Sequence, residues 1–232
     1  AFTGNKFEFR MPGSALSVAE PNVILNTAVA ESLNKIYEAL KDVPEEEMET
    51  QIQELLRTMI KKHKRILFNG NGFTDEWVEE AEKRGLFNLK SLPDAMPQFI
   101  ADKNIELFTK HQIFTKEEIY SRYEIILENY SKTIHIESLT MQDMVKKDFT
   151  PALFSYMADV TKEALDKRQL LPSLSSSYEE QIVQTLTASS EQIVTALAAL
   201  AEDTRKAEQM EEPLQTARYY HDTILQAVSY TH

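Results

Sequence analysis

The sequence lacks cysteine and contains little glycine or proline. With no cysteine among its 232 residues, the chain has no disulfide framework, no thiolate metal site and no cysteine nucleophile. This composition is compatible with the cytoplasm, where we expect the protein to function. The 5 glycines and 8 prolines permit few tight turns, so long helices are favoured over a many-stranded sandwich.

Positive charge and long apolar runs are also scarce. The 37 acidic side chains outnumber the 25 basic ones, which gives a net charge of -12. Because a nucleic-acid partner requires a basic surface, we expect no binding to DNA or RNA. No apolar run approaches the roughly 20 residues that a membrane span needs, so we expect no membrane insertion. The sequence has no initiator Met and begins abruptly next to a segment of alternating apolar and polar residues. We therefore interpret Ala1 as a cut end.

A short alternating segment near the N-terminus predicts a β-strand over about residues 5–11. Apolar and polar residues alternate there, which places Lys6, Glu8 and Arg10 on one face. A carboxylate between two cations suits the joint binding of a divalent ion and phosphate oxygens. The alternative is an edge strand whose polar side chains are solvated and paired with each other. Spacing alone favours this alternative, because motifs so short are weak indicators of function.

Beyond residue 20 the apolar residues recur at helical spacing. We predict a helix at about 21–41 and two long helices at about 115–147 and 178–210, whose apolar residues alternate by three and four. Such heptad spacing is typical of an antiparallel hairpin or a coiled-coil seam. The predicted fold class is mainly α, a helical bundle with long antiparallel helices preceded by a short β-strand.

The heptad pattern of the two long helices has two interpretations. The seam closes within one chain, or one helical face is left for a neighbouring subunit. Short connections favour the first interpretation, because they make consecutive helices antiparallel neighbours. An exposed apolar stripe on an outer face would reverse that preference.

Histidines give no indication of a metal site in the helical part. His63 lies among lysines at a predicted helix end, and His111 and His135 have no partner at metal-ligand spacing. We therefore interpret all three as structural or surface residues.

Several longer segments carry a resemblance to a known family. AFTGNKFEFRMPGS resembles a stretch near the end of the catalytic domain of type III glutamine synthetases. The similarity continues through PNVILNTAVAESL, FNGNGF, EAEKRGLFNL and the run from KNIELFTKH to FTKEEIYSRYEIILENY. These segments span most of the chain in the order that the family shows. The resemblance implies a remnant of the catalytic domain over residues 1–43, followed by a C-terminal helical domain over 44–232.

The resemblance also implies roles for the three polar residues of the predicted strand. Glu8 would be a ligand of an active-site Mg²⁺ or Mn²⁺, and Arg10 would contact the γ-glutamyl phosphate. Lys6 would stand where the family usually has an arginine against the ATP phosphates. Lysine keeps the charge of arginine but lacks its bidentate fork.

The implied reaction is the ATP-dependent ligation of glutamate and ammonia to glutamine. The family's sites draw on many other strands and form between neighbouring subunits of a homo-oligomeric ring, so we expect this chain alone to be inactive. Its helical domain is expected to serve assembly or to frame the site, and its C-terminus is expected to be truncated or divergent. The alternative is a stand-alone all-α interaction or oligomerisation module in which the KFEFR strand is coincidental.

Overall fold

A computed structural model describes residues 17–229 of the chain. These residues are predominantly helical and include no strand, so the predicted mainly α fold is confirmed for this part of the chain. The β-strand predicted over about residues 5–11 lies outside the described residues. The described residues divide into two compact units, 17–88 with 101–117 and 89–100 with 118–229. The domain boundary predicted at residue 43 stays a prediction.

Ten α-helices occur in the described residues. In chain order they are α1 (Ala19–Leu40), α2 (Glu45–His63), α3 (Asp75–Lys83), α4 (Leu92–Phe99), α5 (Asp102–Lys110), α6 (Lys116–Met144), α7 (Thr150–Leu170), α8 (Ser177–Ala207), α9 (Pro213–Tyr219) and α10 (Leu225–Ser229). A 3-10 turn follows α2 at Lys64–Ile66, and π-helical turns occupy Val145–Phe149 and Tyr220–Ile224. None of the helices in residues 17–229 is both long enough and apolar enough to cross a bilayer.

In the first unit, helix ends follow the local charge and glycine content. Helix α2 starts after Pro44 with three glutamates in its first turn and ends with two lysines and His63. Both charge placements complement the helix dipole. After α3 the chain turns at Gly85, whose φ of 71° lies in the left-handed region that glycine adopts without strain.

A charged contact joins α1 to the end of α5 within the first unit. Glu31 accepts hydrogen bonds from Lys110 Nζ at 2.8 Å and contacts His111 Nε2 at 2.8 Å. Lys35 Nζ lies 3.3 Å from the same carboxylate. The Glu31 side chain is only 14% exposed. Hydrogen bonds from Lys110 and His111 lower the pKa of Glu31 from its usual 4.5 to about 2, against the opposing effect of burial.

In the second unit, α6 continues into α7 through a π-helical turn. The backbone N–H of Thr150 donates to the Val145 carbonyl, five residues earlier. Pro151, at the start of α7, has no N–H to donate to the Lys147 carbonyl, and its ring would crowd that carbonyl in a regular α-helix. The wider π turn relieves this conflict, so the helix direction is kept across the proline.

Helix α8 runs back along this continuous helix and packs against α7 first and α6 afterwards. Near its C-terminal end, Thr204 Oγ1 is 2.7 Å from Ser138 Oγ of α6. Gln142 Nε2 donates to the same Ser138 oxygen at 3.3 Å. All three side chains are buried, and the Thr204 hydroxyl also donates to the Leu200 carbonyl of its own helix at 2.7 Å, so each of these polar side chains has a hydrogen-bond partner. This contact fixes the register of α8 on α6.

Two apolar clusters complete the core of the second unit. One joins α6 and α8 to the last helices of the chain, and its buried members are Ile134, Leu200, Ala207, Tyr220, Ile224 and Val228. The other joins α4, α6 and α9 through Met96, Tyr123, Leu127 and Ala217. The core therefore lies where α6, the end of α8 and the last helices meet.

Away from this core, α7 and the first part of α8 form a two-helix arm. Of the α7 residues only Val160 is buried. Phe154 and Leu165 are both more than half exposed. At the end of the arm, Lys167 pairs with Glu179 and Arg168 pairs with Glu180. The two helices of the arm therefore pack against each other along one face, and their other faces are exposed to solvent.

We expect Leu127→Ala to destabilise the second unit by about 2–5 kcal/mol, because Leu127 is fully buried and its truncation leaves a cavity. The control is Leu139→Ala in the same helix, where the side chain is 46% exposed, and its cost is expected within about 0.5 kcal/mol. Urea denaturation followed by circular dichroism measures both. Equal destabilisation by the two changes would contradict the described core.

The lowered pKa of Glu31 predicts an acid-dependent loss of stability in the first unit. A carboxyl with a depressed folded-state pKa stabilises the fold above its unfolded pKa, and the stabilisation disappears as pH falls through the folded pKa. For Glu31 this window runs from 4.5 down to about 2. Glu31→Gln should therefore reduce the pH dependence of the melting temperature in this window. Glu38→Gln, at an exposed i,i+3 pair of the same helix, should leave it nearly unchanged, and an equal effect of both changes would refute the assignment.

Candidate functional site

The residues predicted to bind metal and phosphates lie outside the described part of the chain. Lys6, Glu8 and Arg10 all fall within residues 1–16. Their roles therefore stay predictions. The candidate sites within residues 17–229 consist of other side chains.

A metal site does not fit the described residues. Between residues 17 and 229, no three His, Asp or Glu side chains come together as a bound metal ion would require. Mg²⁺ and Mn²⁺ need several oxygen ligands converging on one point. No catalytic step through a metal ion is therefore assigned to this part of the molecule.

Two of the histidines instead link helices. His111 contacts Glu31 as described above. His135 Nδ1 of α6 lies 3.1 Å from the Tyr220 hydroxyl, and its Nε2 lies 3.6 Å from a Glu208 carboxylate oxygen. His63 is in the last turn of α2. These positions agree with the structural and surface roles predicted for the three residues.

The second unit contains an apolar groove of about 1100 Å³. Its walls come from α6 and the π turn after it, from α8 and from α10. The large apolar side chains that line it include Ile136, Met144, Phe149, Ile193, Leu197 and Val228. Among the described residues that line it, only Glu137 and Asp203 are charged. We call this surface the apolar groove.

The rim of the apolar groove carries large exposed apolar side chains. Ile136, Met144, Phe149 and Ile193 are each more than a third exposed, whereas Val145, Leu200 and Val228 form a buried floor. Asp203 is held by Lys206 and by the Tyr219 hydroxyl. An open concave surface with so little charge resembles the centre of a protein interface more than a solvated surface.

A second, smaller cavity of the same unit has several polar side chains in its lining. It measures about 330 Å³ and lies between α6, the end of α8 and α9. Its polar lining consists of Glu128, Ser131, Lys132, His135, Glu208, Glu211, Thr216 and Tyr220. Burial and the nearby Glu208 carboxylate raise the pKa of Tyr220, so its hydroxyl keeps its proton. We call this site the polar cavity.

Neither cavity follows from the sequence pattern alone. Ile193 and Leu197 fit the predicted heptad seam, and their spacing does not tell which of them stays open. The polar cavity combines His135 with Tyr220, 85 residues later. The one local signal is Ser131 and His135 at a spacing of four, which places both on one face of α6.

Comparison with known proteins identifies relatives of the chain. A family model described as "Glutamine synthetase C-terminal domain" matches residues 51–169. A protein named glutamine synthetase from Butyrivibrio fibrisolvens is 52% identical over 230 residues, which is 97% of this chain and 32% of that protein. A type-3 glutamine synthetase from Dictyostelium discoideum is 38% identical over 163 residues, 70% of this chain and 22% of that protein.

A third relative, a glutamine synthetase from Bacteroides fragilis, is 30% identical over 158 residues, 67% of this chain and 22% of that protein. The chain thus spans about a third or less of the length of the curated relatives it matches. The predicted resemblance to type III glutamine synthetases is confirmed by these matches. Because the family model matches more than half of its residues, the chain belongs to the glutamine synthetase C-terminal domain family.

Proposed function

We propose that this chain is the C-terminal part of an enzyme that makes glutamine by ATP-dependent ligation of glutamate and ammonia through γ-glutamyl phosphate. One observation carries the proposal. Similarity to a protein named glutamine synthetase extends over 97% of the chain, which corresponds to 32% of that protein. Most of the catalytic machinery would therefore be supplied by other parts of the longer polypeptide.

Within this chain, we place the catalytic contribution in the N-terminal segment. Glu8 is proposed as a ligand of Mg²⁺ or Mn²⁺, Arg10 as a contact of the γ-glutamyl phosphate and Lys6 as a contact of the ATP phosphates. The metal would neutralise charge on the phosphoryl group during its transfer. Because the family's site draws on many strands of the longer polypeptide, we expect no activity from the isolated chain.

For the second unit we propose a role in subunit assembly. Glutamine synthetases are generally oligomeric, and the second unit exposes large apolar side chains at the rim of the apolar groove and on the arm. The apolar groove and the open face of the arm, which includes Phe154 and Leu165, lie in the same unit. We propose a second copy of the same polypeptide as the occupant of the apolar groove.

Several features of the apolar groove suit a like subunit. Charged side chains are depleted from the centres of protein interfaces, and the groove lining has the same character. A neighbouring copy presents exposed apolar side chains of its own, such as those on α7. Exposed apolar residues of this kind reverse the preference for a seam closed entirely within one chain.

The alternative function, a stand-alone all-α interaction module, also accommodates the apolar groove. The two functions differ in the reading frame that encodes the chain. A frame that extends several hundred residues upstream of Ala1 supports the ligase proposal. A frame that opens at Ala1 with its own start codon supports the stand-alone module.

Replacing Glu8 by glutamine in the full-length polypeptide tests the catalytic proposal. Glutamine keeps the size of the side chain and removes its negative charge, so a metal ligand would be weakened. We expect glutamine formation to fall by about 100-fold or more and the Mg²⁺ or Mn²⁺ concentration for half-maximal rate to rise. Steady-state rates measured over a metal titration give both quantities.

Glu20→Gln is the matched control for this experiment, because Glu20 is an exposed carboxylate in the first turn of α1. It should leave rate and metal dependence unchanged. Unchanged turnover and metal dependence in the Glu8→Gln protein would remove the proposed ligand role.

Ile136→Glu tests the assembly proposal by placing a charge on the rim of the apolar groove. Ile136 is 62% exposed, so the change spares the core, whereas a contact across the groove would bury the new charge. We expect the subunit dissociation constant of the full-length polypeptide to rise by about tenfold or more. Sedimentation velocity over a concentration series measures it.

The matched control is Ile125→Glu, an exposed isoleucine of α6 that does not line the apolar groove. It is expected to leave the association unchanged. Identical sedimentation of wild type and the Ile136→Glu protein would show that the apolar groove is not a subunit contact.

A further inference from the structure

The polar cavity carries an excess of negative charge. Three carboxylates line it, those of Glu128, Glu208 and Glu211. Lys132 is the one lysine or arginine in its lining, and its Nζ is bound to Glu128 at 2.9 Å. Among the described residues, neither Glu208 nor Glu211 has a lysine or arginine partner, and His135 Nε2 lies 3.6 Å from a Glu208 carboxylate oxygen. Two acidic groups are therefore left to attract a cation.

Ser131 supplies a second, independent indication of a ligand at the same place. The residue lines the polar cavity and is only 7% exposed. Its Oγ is buried and has no hydrogen-bond partner among the described residues. Buried hydroxyls nearly always have a partner, because an unpaired one costs about 1–3 kcal/mol of desolvation. A bound donor in the cavity would satisfy this oxygen.

His135 and Tyr220 contact each other on this wall of the polar cavity. The Tyr220 hydroxyl lies 3.1 Å from His135 Nδ1, and the other ring nitrogen of His135 is Nε2. This nitrogen faces the Glu208 carboxylate. The Glu208 side chain is thereby held near the cavity, with lone pairs left to accept further hydrogen bonds.

The remaining wall of the polar cavity is apolar. Ala207, Met210 and Pro213 line it and offer no hydrogen-bonding side chain. At about 330 Å³, the volume is at the lower end of the range of small-molecule sites. The site therefore combines an acidic, hydrogen-bond-accepting side with a short hydrocarbon surface.

We propose that the polar cavity binds a short-chain primary amine in its ammonium form. The ammonium group donates to the Glu208 and Glu211 carboxylates and to Ser131 Oγ, and the alkyl chain contacts Met210 and Pro213. An ammonium carries three donors and no acceptor, which matches these three acceptors. An anion would be repelled by the two carboxylates, and a metal ion lacks a converging ligand set in the described residues.

Isothermal titration of the full chain with n-butylamine tests this proposal at neutral pH and low salt. We expect saturable binding with a dissociation constant of about 1–10 mM and shifted NMR signals of the His135 ring. The uncharged analogue n-butanol and ammonium chloride are titrated in parallel. Both should bind at least about fivefold more weakly, because one lacks the charge and the other lacks the alkyl contact.

Two variants identify the site of binding. Glu208→Gln should weaken n-butylamine binding by about tenfold, and Ser131→Ala should weaken it by about threefold to tenfold. Because the Ser131 hydroxyl has no partner in the unliganded protein, its removal should not lower the melting temperature. Glu202→Gln is the control, since Glu202 belongs to the same helix as the polar cavity's wall and pairs with Arg205.

Three results would overturn the proposal. The first is no saturable binding of n-butylamine to the wild-type chain at 50 mM, roughly five times the weakest dissociation constant expected. The second is equal affinity for n-butylamine and n-butanol. The third is equal weakening by Glu208→Gln and Glu202→Gln, which would mean that general surface charge attracts the amine. Glutamine formation enters none of these measurements, so they are independent of the proposed ligase activity.

Discussion

The packing of α8 on the continuous α6–α7 helix is the constraint on which the second unit depends. Ser138, Gln142 and Thr204 hydrogen bond to one another in a buried position, between apolar neighbours such as Ile134 and Leu200. Sliding α8 by one turn would break the Ser138–Thr204 and Gln142–Thr204 hydrogen bonds and place these polar groups against hydrocarbon. Their mutual satisfaction selects one register, and this register aligns the walls of both cavities.

Local physical chemistry made much of the fold predictable. The first-turn glutamates and last-turn lysines of α2 indicate both of its ends, because they act within one helix turn. The π turn at Val145–Phe149 was not predicted. It depends on a compromise between Pro151, which interrupts the helix, and the packing against α8, which favours continuing it. The sequence shows the proline, but it does not show how strongly packing against α8 favours a continuous helix.

The candidate sites show the same limit more strongly. Lys6, Glu8 and Arg10 lie within five residues of sequence, so a short alternating pattern identifies them as candidates. Their proposed roles rest on the family resemblance. The polar cavity requires Ser131, His135 and Tyr220 to meet across a helical bundle. Their contact depends on how the helices pack against each other, and no periodic pattern in the sequence indicates that packing. Residues close together in sequence can therefore be proposed as a site from the sequence, whereas a site assembled by packing cannot.

The π turn at Val145–Phe149 also bears on how this part of the chain tolerates changes in length. A π turn is geometrically an α-helix with one extra residue accommodated as a bulge. Deleting one residue elsewhere in α6 would rotate every later side chain by about 100° around the helix axis. Within the π turn, the same deletion would leave the arm facing α8 in a chain that also lacks Pro151, whose ring crowds the carbonyl four residues earlier in a regular helix. Homologous chains that differ by one residue in this segment are thus compatible with one and the same architecture.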